Sequence, residues 1–95
     1  MTDGDWFEQR LRDGEFKSVA YIETIQVSVI EKANEYYPVW SSKRSLCLEI
    51  ENKMKIPAYI VWHSPECTDF LVLRITEVKP VRMNEEAYIE FLKNL

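Results

Sequence analysis

Residues Asp5–Ile30, DWFEQRLRDGEFKSVAYIETIQVSVI, carry the decision about the fold. From Lys17 onward the odd positions Val19, Tyr21, Ile25, Val27 and Val29 form one apolar face, and Glu23 alone interrupts it. Alternation with this density of β-branched residues marks a strand. An acid on such a face needs a physical reason. It can ligate a metal, pair with Arg10 or Lys17 across a hairpin, or face solvent at a sheet edge.

The segment before this strand has two readings. If Asp5–Arg12 is also a strand, Asp13-Gly14 is a hairpin turn, and a three-residue loop would set Asp5 nearly opposite Glu23. If it is a short helix, Thr2 or Asp3 caps it. Trp6, Phe7, Arg10 and Leu11 then share one side, and Gly14 follows its end.

A chain of 95 residues makes one domain, 1–95, of the size that often dimerises. With 46% hydrophobic and 29% charged residues it is an ordinary folded chain, which excludes a disordered or fibrous protein. The net charge of −4 argues against coating nucleic acid non-specifically, since that needs many uncompensated Lys and Arg. The two glycines, Gly4 and Gly14, cannot build a phosphate-cradling loop or a dinucleotide fingerprint. Cys47 and Cys67 have no partner spacing, no secretory signal precedes them, and no apolar run approaches the roughly 18 residues of a membrane span. A cytoplasmic protein with free thiols, not inserted in a membrane, is the expectation.

Further along, the chain turns around Tyr36-Tyr37-Pro38. Ser41 or Ser42 caps a helix running to about Lys53, with Leu46, Cys47, Ile50 and Met54 as its inner stripe and Lys43, Arg44, Glu49, Glu51 and Lys53 outside. Pro57 ends the helical region. Ala58–Trp62 and Phe70–Ile75 read as strands buried on both faces, joined by the polar loop His63–Asp69. Asn84 caps a last helix whose Tyr88, Phe91, Leu92 and Leu95 face the sheet. The fold class is therefore α/β (α+β): a mixed sheet of about four strands, a helix after the long strand, and a C-terminal helix.

The run Asp3-Gly4-Asp5-Trp6-Phe7-Glu8-Gln9-Arg10, then Asp13-Gly14, Val19-Ala20-Tyr21-Ile22-Glu23, a helix and Ile56-Pro57-Ala58-Tyr59-Ile60-Val61 resembles the core of the restriction-endonuclease-like, PD-(D/E)xK nuclease superfamily. The resemblance implies a metal-dependent nuclease site. Asp5 (or Asp3) and Glu23 would hold Mg²⁺, which polarises the scissile phosphate while a lysine stabilises charge nearby. The position of that lysine falls on Ile25, so the catalytic set implied is Asp5, Glu23 and Lys43, with Lys32 or Lys43 reaching in from the following segment. No counterpart precedes the first strand for the helix that usually flanks such a site. A degenerate copy associated with nucleic acid, with weak or lost cleavage, follows from these departures.

The alternative is a non-catalytic interaction module. Tyr36, Tyr37 and Trp40 cluster around Pro38, and such aromatics anchor protein interfaces or stack on bases. A homodimer is expected, because a small sheet gains by covering an open edge. A protein partner and nucleic acid are the other candidate ligands. His63 and Cys67 make a His-x3-Cys spacing with Glu66 between, without the further ligands that zinc needs.

Overall fold

The computed structural model describes residues 3–35, 40–77 and 79–95. Two long strands come first, β1 (Asp3–Arg12) and β2 (Glu15–Gln26). A 3-10 helix (Ile30–Glu35) and α1 (Trp40–Met54) carry the chain to β3 (Ala58–His63). β4 (Asp69–Arg74), β5 (Val81–Asn84) and α2 (Glu85–Lys93) complete it. The sheet has five strands in the order β1-β2-β3-β4-β5, and only β2 and β3 run parallel. The parallel pair requires a crossover, which the 3-10 helix and α1 supply. The other connections are simple antiparallel returns.

Residues 5–12 are strand, so the helical alternative is excluded. The turn differs from expectation in an informative way. Arg12 pairs with Glu15 across a two-residue loop, Asp13-Gly14, whose φ values of 53° and 79° are those a right-twisted hairpin favours. The additional residue sits in the ladder instead. Gln9 pairs with Ser18 but Glu8 pairs with Ala20, so Val19 is a bulge on β2. Beyond it Asp5 lies opposite Glu23, where a three-residue loop would also have put it.

Alternation sorts the core into two layers. Tyr21, Ile25, Ile60 and Trp62 face α1, whereas Ile22, Val61, Phe70 and Val72 face α2. β3 and β4 are strands as expected, and β3, central in the sheet, is buried on both faces. On the α2 side Tyr88 stacks on Phe70 with centroids 4.0 Å apart, and Phe91 meets Tyr59 edge-on at 4.9 Å. Asn84 caps α2 as expected, its side chain accepting from the Ala87 amide at 2.8 Å. Among the described residues no helix is long and apolar enough to cross a membrane.

Three expectations need correction. The strand count is five, because β5 is only four residues long and too short to show alternation next to Pro80. Helix α1 already includes Trp40, ahead of the two serines offered as its cap. Its inner stripe is also rotated. Leu46 and Met54 are 45% and 46% exposed, while Cys47 is fully buried and Leu48 and Ile50 pack on the core. Lys43 and Glu51, assigned to the solvent face, point inward, at helical spacing from Cys47.

The left-handed turn gives a direct test. A Cβ at Gly14 would meet nothing within 4 Å, so Gly14→Ala acts through backbone strain alone. It should cost about 1 kcal/mol in urea unfolding, with the sheet unchanged by circular dichroism.

Candidate functional site

The site forms where β1, β2 and α1 meet. β2 runs between β1 and β3, so Glu23 has Asp5 beside it on one strand and Ile60 on the other. Its side chain is only 9% exposed. Charge and hydrogen bonds answer this burial. From α1, the Lys43 ammonium donates to Glu23 Oε1 at 2.7 Å. From two residues up β2, on the same face, the Tyr21 hydroxyl lies 2.7 Å from Glu23 Oε2 and 3.1 Å from Asp5 Oδ2. The phenol has one proton for two carboxylate oxygens, so it donates to one at a time, and the shorter contact is the one to Glu23. A continuous chain results: Lys43, Glu23, Tyr21, Asp5.

The surroundings fix this geometry. Phe7, the neighbour of Tyr21 on β1, holds the Tyr21 ring with centroids 5.0 Å apart. Backbone bonds tie β2 to β3 at both ends of the site, Tyr21 N–H to Pro57 O at 2.9 Å and Val27 N–H to His63 O at 2.9 Å. One helical turn past Lys43, Cys47 is sealed beneath the site. A further turn on, Glu51 accepts from the Ala58 amide at 3.0 Å and faces Arg74 Nε at 3.4 Å, fastening α1 to the first residue of β3.

Electrostatics follow from burial. The Tyr21 phenol is held far above its usual range, first by burial and then by the bond and negative charge of Glu23, with Asp5 adding to both. It is a proton donor throughout the physiological range. Burial likewise pushes the Cys47 thiol up to about 11, with Glu23 and Glu51 raising it and Lys43 opposing them.

All three residues of the expected catalytic set, Asp5, Glu23 and Lys43, therefore come together. Ile25 is fully buried in the core, and Lys43 reaches Glu23 from the helix instead. The side chain of Lys32 lies outside the described residues. So do Tyr36 and Tyr37, expected at an interface, and of Trp40 only the backbone is described. His63 Nδ1 and Cys67 Sγ are 3.6 Å apart, and no third ligating residue joins them among the described residues. Reading the sequence missed Tyr21 as a polar participant, counting it with the apolar face. The available signal was a tyrosine two residues from an acid on the same side of a strand.

The donor set suits a hard cation in type, since Mg²⁺ takes one or two carboxylates and keeps its remaining waters. Among the described residues, however, no group of three or more His, Cys, Asp or Glu is placed to hold a metal ion. The Tyr21 hydroxyl also sits between the two acids. No known family model, curated protein or solved structure matches the chain.

Two predictions come from this geometry. Lys43→Met leaves the Glu23 carboxylate buried without a counter-charge and should cost about 3 kcal/mol in urea unfolding. The double variant Glu23→Leu/Lys43→Met should recover most of that loss, because it removes both charges together. The second prediction concerns alkaline pH. Unfolded, Cys47 loses its proton near its ordinary value of 9.0, and folded only near 11. Its contribution is complete below pH 9 and is lost as the pH rises through 11. Thermal melts across this interval should fall more shallowly for Cys47→Ala than for the wild type.

Proposed function

We propose that this chain is a PD-(D/E)xK nuclease-like protein associated with nucleic acid, with weak or lost metal-dependent cleavage. The observation carrying this reading is that Lys43 reaches Glu23 at 2.7 Å while Asp5 stands in register with Glu23. Two acids and a lysine at one place are the set that the nuclease resemblance implies, with the lysine supplied from α1 and Ile25 standing at the position the resemblance gives to it. Mg²⁺, when bound by Asp5 and Glu23, would supply polarisation of the phosphate. Lys43 offers positive charge beside it, and Tyr21 orients both carboxylates.

The same contacts support reduced activity. Lys43 already neutralises Glu23, and Tyr21 engages both acids, so a cation would have to compete with bonds the protein makes to itself. A non-catalytic interaction module is the second reading. It is favoured by the exposed Trp6, Phe7, Leu11 and Phe16 of the β1–β2 hairpin.

Isothermal titration of Mg²⁺ and Mn²⁺ into wild type and Glu23→Ala, both checked as folded by circular dichroism, tests the first reading. Weak wild-type binding that the variant loses is expected, together with binding or slow cleavage of DNA or RNA. A folded wild type that takes up neither metal nor nucleic acid would overturn it.

A further inference from the structure

The outer edge of β1 is the longest open edge of the sheet, ten residues against four in β5; among the described strands β1 pairs with β2 alone, and Arg10 reaches the Leu92 carbonyl of α2 across the sheet face. Open edges of this length are normally blunted or covered. This one carries Trp6, Phe7 and Leu11, which are 37%, 39% and 62% exposed. We propose that β1 is the seam of a two-fold dimer: a second copy of this chain adds antiparallel to that edge, with Gln9 opposite Gln9. The inference is independent of any chemistry at Glu23.

The register follows from geometry and charge. Arg12 and Glu15 flank a two-residue turn and so bond each other, which turns the backbone groups of Leu11, Gln9 and Phe7 outward. A two-fold axis normal to a continuous sheet keeps each residue on its own face. Residues opposite one another must then both be odd or both be even in number. Few centres remain. Centring on Glu8 sets Glu8 against itself, and centring on Arg10 sets Arg10 against itself, both unfavourable for like charges. Centring on Phe7 places Leu11 opposite Asp3 and Trp6 opposite Glu8.

Centring on Gln9 gives three favourable pairs, each formed twice, and one Gln9–Gln9 pair on the axis, where the Gln9 carbonyl exchanges the Arg10 guanidinium of its own chain for the amide of the second copy. Glu8 meets Arg10 of the second copy, Phe7 meets its Leu11, and Trp6 meets its Arg12 as ring against guanidinium. Glu8 and Arg10 already lie 3.5 Å apart within one chain, so their side chains share the face this pairing requires. The ladder ends at Trp6 and Arg12. Asp5 would next face Asp13, which lies in the turn, outside the strand. The two amide side chains at the axis can bond each other.

Sedimentation velocity on the full chain should show a dimer, and Leu11→Asp, folded by circular dichroism, should weaken self-association at least tenfold. The register is tested separately in a Cys67→Ser background, where the remaining cysteine, Cys47, is buried. Under mild oxidation Gln9→Cys alone should form a disulfide-linked dimer, since opposed residues lie at about 5.5 Å between Cα atoms. Phe7→Cys alone should not, but should cross-link when mixed with Leu11→Cys. A monomer at all accessible concentrations, a dimer indifferent to Leu11→Asp, or Phe7→Cys cross-linking to itself as readily as Gln9→Cys would each overturn the proposal.

Discussion

A carboxylate enclosed between a sheet and a helix has to be met by a positive charge, and at Glu23 that charge is Lys43. The rotation of α1 about its own axis is consistent with this demand. With Lys43 turned inward, Cys47 and Glu51 follow at successive turns, and Leu46 and Met54 are carried out to the surface. Apolar content alone would favour the opposite setting. The helix gives up burial of two large side chains, and gains an ion pair at one end and a tie to the start of β3 at the other.

The bulge at Val19 is the second constraint. Side chains on paired strands share a face when their residues stand opposite one another or an even number of positions away, and a slip of one position moves a whole strand's side chains to the other face. Continuing the turn-proximal register without the bulge would bring Asp5 opposite Ile22, on the α2 side. One additional residue in β2 therefore decides whether the two carboxylates can share a hydroxyl. The turn supplies the twist, the bulge supplies the offset, and Tyr21 then links the acids.

Much of this is legible in the residues themselves. The alternation in β2 marks both the strand and the anomaly at Glu23, because a period of two belongs to extended chain, although the strand ends at Gln26, short of Val29, and is buried on both faces from Ala20 to Ile25. Pro57, the continuous apolar runs of β3 and β4, and the Asn84 cap mark the later elements for equally local reasons. Asp5, Glu23 and Lys43 can be named as a set through a family resemblance and the side-chain parity of Ile25. What escapes reading depends on three-dimensional context. The rotation of α1 is hidden because inward charged residues look like surface residues to any apolar periodicity. β5 is hidden by its brevity, and Val19 looks like any β-branched strand residue. Tyr21 falls on the correct face but its hydroxyl is overlooked, since its role exists only once Asp5 is opposite Glu23.

The unequal support along β2 has a mechanical side. Residues 21–25 are paired with strands on both flanks, whereas 15–18 and 20 pair only with β1, so the hairpin beyond the bulge is a cantilever rooted at the site. Arg10 steadies it by donating to the Leu92 carbonyl at the end of α2. The fixed end of this arm is Tyr21, in ring contact with Phe7. Displacing the tip at Leu11 or Phe16 therefore strains the Arg10–Leu92 tie first and the Phe7–Tyr21 contact at the root after it, and that root carries the phenol between the two acids.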